Sequence, residues 1–406
     1  MSLIVQKYGG TSVRDADRIQ NVAKRVVKKK RQGHQLVVVV SALGGETDRM
    51  IQLMSSITSN PSEREMDMVM STGEQISVGL LAMAIHELGE KAISLTGAQV
   101  GIRTDKSHTK ARIVNIRTDQ IRKALKAGNV VIVAGFQGIT DEGEITTLGR
   151  GGSDLTAVAL ASVLKAKACE IYTDVDGIYT TDPRLEPNAK RMDVISYDEM
   201  LELASLGAKV MQSRSIEVAK KHDVPVWVKS SLKDNGKGTL IRSEVKSMEN
   251  VLIRGIALAQ NEAKVTIFGV PDKPGVAAQI FEMISSYNVN VDMIIQNKTK
   301  TNHTDLTFTI YKSDKKRAIE AVRAVVKKVK AKGYDIDEKI AKLSVVGIGM
   351  RSHAGVATAM FKALAKAKVN IQMISTSEIK ISCVIDSAKG KRAVQAIHRA
   401  FGLGKK

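Results

Sequence analysis

Short apolar runs alternate with stretches of helical spacing through about the first 230 residues of the chain. "LIVQKYGG" is an apolar strand that runs into a glycine turn, and residues 15–30 follow with apolar positions at helical intervals. "LVVVVSALGG" (36–45) is a β-branched run of the kind found in a strand covered on both faces, and it too ends in glycines. "VVIVAGFQGIT" (130–140), "KACEIYTDVDG" (167–177) and "VPVWVKSS" (224–231) repeat the pattern. The spacing predicts helices at about 70–88, 154–166, 196–204 and 207–222. Strand, turn, helix, repeated, predicts an α/β domain with a mainly parallel sheet sandwiched by helices. Ligands of such sheets bind beyond the carboxyl ends of the strands. The glycine turns at 9–10, 44–45, 135–138 and 149–152 therefore mark the ligand-facing edge.

The polar, glycine-containing stretch 231–250 reads as a linker, and beyond it the rhythm changes. "AKVTIFGV" is a strand, "PDKPG" a turn, and 276–287 a helix. "VNVDMIIQN" and "TDLTFTIY" are strands, 314–332 is a helix, and "YDIDEKI" holds a further strand. That order is βαββαβ, a ferredoxin-like α+β unit. It then restarts: strand "KLSVVGIGM", turn "SHAG", helix 356–367, strands "VNIQMISTS" and "KISCVID", helix 388–401. This second copy lacks a fourth strand, while "NVLIRGIALAQ" (250–260) is a spare strand ahead of the first. The expected domains are therefore 1–245, then 263–342 inserted within a unit made of 250–262 and 343–406.

Composition changes this picture little. The 406 residues are 43% hydrophobic but 3% aromatic, so the core must be aliphatic. Cys169 and Cys383 lie in apolar runs and read as buried, inert thiols. The start "MSLIVQKYGG" is not a signal peptide, and no run approaches the ~18 apolar residues of a membrane span, so a soluble cytoplasmic protein is expected. Net charge is +20. Residues 1–245 hold 34 Lys+Arg against 29 Asp+Glu, a net of +5, and residues 246–406 hold 28 against 13, a net of +15. Much of the excess lies on the helix at 314–332. Its apolar stripe of Ala318, Ile319, Val322, Val325, Val326 and Val329 puts the lysines on a solvated face. Neither a nucleic-acid nor a membrane partner is expected.

Four stretches carry candidate chemistry. "TTLGRGGSD" (146–154) places Gly149, Arg150, Gly151 and Gly152 ahead of an apolar helix. It is neither a Walker loop, with no GK[ST], nor GxGxxG, since Asp154 takes the third glycine position. Glycines let backbone N–H groups approach a ligand, a helix start favours anions, and Arg can grip a carboxylate with two parallel bonds. Capping by Ser153 or Asp154 explains one of those residues, but not three glycines and an Arg. "KYGGTS" (7–12) sets Lys7 at a strand end, a compact charge for phosphate oxygens or a common exposed lysine. "YTDVDGIYTTDPR" (172–184) is either a surface loop or a nucleotide-binding one. "MSTGEQIS" (70–77) puts Glu74 on a helix, where a carboxylate is either solvated or pairs with a ligand. No metal cage, Ser-His-Asp signal or nucleophile elbow is present in the sequence. That favours transfer chemistry run by positioning and electrostatics.

Together, "KYGGTSV", "TTLGRGGSD", "YTDVDGIYTTDPR", "GVPDKPG" and "NVDMIIQN" closely resemble the aspartate kinase family, over essentially the whole chain. The resemblance implies an amino-acid-kinase-type domain followed by two ACT units. It implies phosphorylation of the L-aspartate β-carboxylate by MgATP, with Mg2+ held through the ATP phosphates and no separate metal site. The product enters lysine, threonine, methionine and, in bacteria, diaminopimelate synthesis. Lys7, with Gly9 and Gly10, would hold the transferring phosphoryl group, and Asp154 would organise the lysines and the metal-bound phosphates. Arg150 would pair with the α-carboxylate of aspartate and Glu74 with its α-ammonium. Ser41, Thr47 and Ser153 would complete that pocket. Thr173, Asp174, Tyr179, Asp182 and Arg184 would surround ATP, with Lys209 reaching its phosphates.

By the same resemblance, Asp272, Gly275, Ala277, Gln296, Asn370 and Ile371 would contact an inhibitory amino acid, lysine, threonine or both. The ACT units would pair in a homodimer or higher oligomer. An internal start near Met248 would give a separate regulatory subunit. Three rivals remain at this stage: another kinase of the same fold, a non-catalytic amino-acid sensor, and a nucleic-acid binder.

Overall fold

The computed structural model describes residues 2–206, 210–233, 236–243, 252–296, 302–348, 350 and 355–404. Two compact units emerge. The first comprises Met1–Ile178, Arg191–Ser205 and Lys209–Ser247, and the second Tyr179–Lys190, Leu206–Ala208 and Met248–Lys406.

The first unit opens with β1 (Leu3–Tyr8), α1 (Ala16–Arg31), β2 (Gln35–Val40), α2 (Glu46–Ile57), α3 (Glu63–Met70) and α4 (Thr72–Glu87). It continues with β3 (Ala92–Leu95), β4 (Ile102–Thr104), β5 (Ile113–Ile116), α5 (Asp119–Lys126), β6 (Val130–Ala134), β7 (Gln137–Ile139) and β8 (Ile145–Thr147). It closes with α6 (Gly152–Val163), β9 (Ala168–Thr173), β10 (Val194–Ser196), α7 (Tyr197–Ser205), α8 (Ser213–Lys221), β11 (Val226–Ser230) and β12 (Thr239–Arg242).

Eight of these strands form one sheet, in the order β10-β12-β11-β9-β1-β2-β6-β3. Every neighbouring pair is parallel except β11 with β12. The β-branched run of β2 fits its central place, with Leu36 through Val40 all buried. On α1, Ile19, Val22, Ala23, Val26 and Val27 are the buried positions, and Asp15 caps the helix through the Arg18 N–H.

A second, four-stranded sheet has the order β5-β4-β7-β8. Its strands are three or four residues long, too short to show a period in the sequence. The stretch 231–250 is not simply a linker. Its Thr239–Arg242 segment is β12, paired parallel to β10 and antiparallel to β11.

Helices α3 and α4 run on through Glu63–Glu87, 25 residues that by length and composition would pass for a membrane span. Half of the apolar stretch is buried and it carries the buried Glu74, as suits a core helix.

The second unit contains β13 (Leu252–Ala259), β14 (Glu262–Pro271), α9 (Val276–Ser286), β15 (Val291–Gln296), β16 (His303–Tyr311), α10 (Lys315–Val329) and β17 (Gly333–Asp337). Then come β18 (Ile340–Ile348), α11 (Gly355–Lys366), β19 (Ile371–Thr376), β20 (Lys380–Asp386) and α12 (Gly390–Ala400). One sheet has the order β15-β16-β14-β17 and the other β13-β18-β20-β19, all antiparallel. The spare strand β13 pairs with β18 from Leu252↔Ile348 to Ala259↔Lys342. The whole first repeat therefore lies, in the chain, between two partners of the other sheet. Lys342 on β18 is 3% exposed, bonds Glu262 of β14 at 2.6 Å and also pairs with Asp292 of β15. Burial opposes its charge, but Glu262 and Asp292 prevail and hold its pKa above the usual lysine value.

Candidate active site

The carboxyl ends of β1, β2 and β6 meet the first turn of α6. Lys7 on β1 puts its Nζ 2.7 Å from Oδ1 of Asp154 on α6, with both side chains largely buried. A Cβ on Gly9 would stand 3.4 Å from that Nζ, and one on Gly10 would stand 2.8 Å from the Ala42 carbonyl. A glycine there is what lets the β1 turn lie against the β2 turn. At the end of β6, a Cβ on Gly135 would be 2.7 Å from Ser153 Oγ. Lys7, Gly9, Gly10, Ser153 and Asp154, predicted from separate motifs, thus fall at one place.

Helix α6 starts one residue before Ser153. Its N-cap is Gly151, left-handed at φ 73, and no side chain caps it. The capping alternative for Ser153 and Asp154 therefore fails. Both lie inside the first turn, each 6% exposed. The Gly152 N–H closes this turn on the Gly149 carbonyl at 2.9 Å, at a helix start whose dipole favours an anion. Arg150 at its tip is exposed and forms no ion pair among the described residues.

Glu74, in the first turn of α4, is 3% exposed. Its Oε1 accepts the Ala42 N–H at 3.0 Å, and Oε2 has no hydrogen-bond partner among the described residues. Burial pushes its carboxyl up to about 7, although the Ala42 N–H favours the ionised form. The solvated reading of Glu74 is excluded. Such a carboxylate is poised for a cation. Ser41, bonded through its N–H to the Tyr8 carbonyl, and Thr47, in the first turn of α2, occupy the same strand-to-helix connection after β2.

On the same sheet, Tyr8 and Tyr172 stack with centroids 4.7 Å apart, and Arg25 lies 5.0 Å over Tyr172. Arg25 also donates to the carbonyls of Ser230, Ser231 and Lys233, which fixes the ends of β9 and β11. Thr173 and Asp174, bonded to each other at 3.0 Å, sit at that end of β9. Tyr179, Asp182 and Arg184 fall in the Tyr179–Lys190 segment that belongs to the second unit. There Arg184 and Asp182 pair at 2.7 Å, and Arg184 holds the Asp182 carboxyl below its usual range. Lys209 lies outside the described residues. The expected helix at 207–222 is described as α8, from Ser213.

In the second unit, Asp272, Gly275, Ala277 and Gln296 line one cavity of about 360 Å³ between β14, α9 and β15. Gly275 is the left-handed N-cap of α9. Asn370 and Ile371, at the start of β19 in the other sheet, do not line it.

Several buried carboxylates carry no signal in the sequence, and one of them lies beside these turns. Asp67 on α3 is fully buried and bonds His108, Thr109 and Thr147. Among the described residues no three metal-ligating side chains cluster. The Asp154 carboxylate, paired with Lys7, suits a metal that arrives already bound to phosphates.

A model of the amino acid kinase family matches residues 2–230, and an ACT domain model matches 265–325 and 343–401. An aspartate kinase of Pseudomonas putida is 54% identical over 404 residues, covering 99% of this chain and 98% of that one. The structure of E. coli aspartokinase III in complex with aspartate and ADP (R-state) matches with a TM-score of 0.81 at 27% identity, covering 98% of this chain and 100% of that one. E. coli aspartokinase III in complex with lysine and aspartate (T-state) gives 0.74 at 26%, covering 98% and 99%.

Proposed function

The chain belongs to the aspartate kinases of the amino acid kinase family, and from that premise we propose how its residues carry the reaction. ATP gives its γ-phosphoryl group to the β-carboxylate of L-aspartate. A new P–O bond forms to a carboxylate oxygen as the bond to ADP breaks, and 4-phospho-L-aspartate and ADP leave. The attacking carboxylate is already ionised near neutral pH, so no general base is needed. The residues have to position and neutralise. Mg2+ comes with ATP and spreads the phosphate charge.

The pair of Lys7 and Asp154, 2.7 Å apart beside the buried Glu74, carries this reading. Lys7 meets the charge that grows on the transferring group, with the Gly9 and Gly10 N–H groups beside it. Asp154 keeps Lys7 aimed. Arg150 takes the α-carboxylate and Glu74 the α-ammonium, with Ser41, Thr47 and Ser153 around the substrate. Thr173, Asp174, Tyr179, Asp182, Arg184 and Lys209 serve ATP.

Residues 1–245 form the catalytic domain, and 263–342 form one ACT domain inserted into the other, 250–262 with 343–406. Asp272, Gly275, Ala277 and Gln296 hold an inhibitory lysine or threonine. Asn370 and Ile371 reach the effector of a second copy, which makes the working enzyme a homodimer or larger. The lysine complex of E. coli aspartokinase III favours lysine as one effector. The cytoplasm, the lysine and threonine pathways, and a separate regulatory subunit started at Met248 complete the reading.

ADP release from MgATP tests it. L-aspartate should drive release, L-glutamate should not, and lysine or threonine should slow it. Release with another acid and not with L-aspartate would discard the pocket.

A further inference from the structure

Asp67 is a carboxylate that the proposed reaction does not use, yet it is 0% exposed. It accepts from the His108 ring Nδ1 at 2.8 Å, from the Thr109 N–H at 3.0 Å and from the Thr147 hydroxyl at 2.5 Å. A carboxylate oxygen accepts here, which makes His108 Nδ1 the donor. Its Nε2 faces the Glu144 carboxylate at 3.6 Å. A carboxylate this deep is costly to bury unless its bonds are complete, so these three chain segments are held together strongly.

Those segments all lead to the pocket. Thr147 ends β8, three residues before Arg150. The Ala111 N–H bonds the Thr147 carbonyl at 2.9 Å. A Cβ on Gly149 would stand 3.2 Å from the Thr109 carbonyl, so the Asp67-bound loop lies directly against the turn that carries Arg150. Arg214 braces the same place, donating to the carbonyls of Leu148 at 2.8 Å and Ala111 at 2.9 Å. On the other side, the Asp67 carbonyl accepts the Ser71 N–H at 3.0 Å, and the Ser71 carbonyl accepts Gln137 Nε2 at 2.8 Å. Three residues beyond Ser71 is Glu74.

We propose that Asp67 is a positioning residue for the amino-acid substrate. It ties the helix of Glu74 to the turn of Arg150, and so sets the distance at which the two meet the ammonium and carboxylate of one α-carbon. This rests on the roles given to Glu74 and Arg150 above. The phosphate end is tied in only indirectly, through the first turn of α6 and the Asp154–Lys7 pair. No described hydrogen bond runs from this group to β1 or β9. The brace therefore acts on the amino acid more than on ATP.

Thr147→Val removes the hydroxyl and keeps the shape, Thr147→Ser restores the hydroxyl, and Asp67→Asn removes the charge. In the full chain, Thr147→Val and Asp67→Asn should raise KM for L-aspartate about tenfold and move KM for ATP by less than about twofold, with Thr147→Ser near wild type. A tie that serves folding alone would lower Tm and leave both KM values unchanged, which overturns the proposal. So would both KM values rising together. Wild-type turnover with L-aspartate is the control. Its absence would remove the proposed function and this brace with it. Its presence with an unchanged Thr147→Val KM would remove the brace alone.

Discussion

Lys7 Nζ and Asp154 Oδ1 stand 2.7 Å apart and join the end of β1 to the first turn of α6. The pair unites two motifs 147 positions apart in the chain, Lys7 and Asp154. If Lys7 neutralises the transferring phosphoryl group, Lys7→Met should lower kcat about 10²–10³-fold, the usual cost of one such donor. Asp154→Asn keeps the shape and should also lower kcat. Initial rates at saturating L-aspartate and ATP read both variants.

Glu74 gives a pH signature. Its carboxyl sits at about 7 because it is buried, and it must be ionised to hold an ammonium group. KM for L-aspartate should therefore rise as pH falls from 8 to 6, approaching about tenfold per unit below pH 7. Glu74→Gln should raise KM and flatten this profile.

The same group has a stability consequence of opposite sense. Its folded pKa is raised, so the folded state binds the proton more tightly and ionisation costs stability. That cost is fully present above about pH 7 and fades as pH falls toward 4.5. Glu74→Gln should stabilise the ligand-free protein at pH 8, by on the order of 3 kcal/mol, and hardly at pH 4.5. Denaturant titrations at the two pH values check the sign.

Gly135 tests how tightly β6 meets α6. A Cβ there would fall 2.7 Å from Ser153 Oγ and 3.0 Å from its Cα, so the start of α6 must shift. Gly135→Ala should reduce kcat/KM by at least about tenfold, since small displacements of positioning groups are costly. A variant that keeps full activity would show that the turn has room.

The candidate turns were legible where chemistry-bearing residue types and a local turn share a few consecutive residues. The α6 turn carries its glycines, its Arg and its Asp within "GRGGSD". Asp67 was not legible. In "EREMDMVMS" it reads as one more charge on a polar helix face, and its partners His108 and Thr147 lie 41 and 80 positions away. The β12 strand was hidden in a polar stretch because it is four residues long and owes its place to β10 and β11. The inserted topology was readable from a leftover strand, since β13 had no partner until β18 supplied one. Short β4, β5, β7 and β8 gave no period to read.

In the second unit, Lys342 holds two carboxylates between sheets. Lys342→Met would leave Glu262, 2% exposed, without its cation. Breaking a buried pair from one side costs about 3–5 kcal/mol. Thermal unfolding should show a destabilised transition, and Lys342→Met with Glu262→Leu should recover much of the loss.

The cavity beside α9 makes a separate claim on regulation. Asp272→Ala removes a lining carboxylate and should weaken inhibition by lysine or threonine. The readout is the ratio of inhibited to uninhibited rate. An unchanged ratio would sink the effector assignment.

Phosphoryl transfer to the aspartate β-carboxylate would give an acyl phosphate, which hydroxylamine traps. The most direct measurement is hydroxamate formed by the pure protein with MgATP, with and without L-aspartate. Phosphoryl transfer to L-aspartate predicts hydroxamate that depends on L-aspartate and vanishes in Lys7→Met. ADP release without hydroxamate, or hydroxamate undiminished in Lys7→Met, would contradict it.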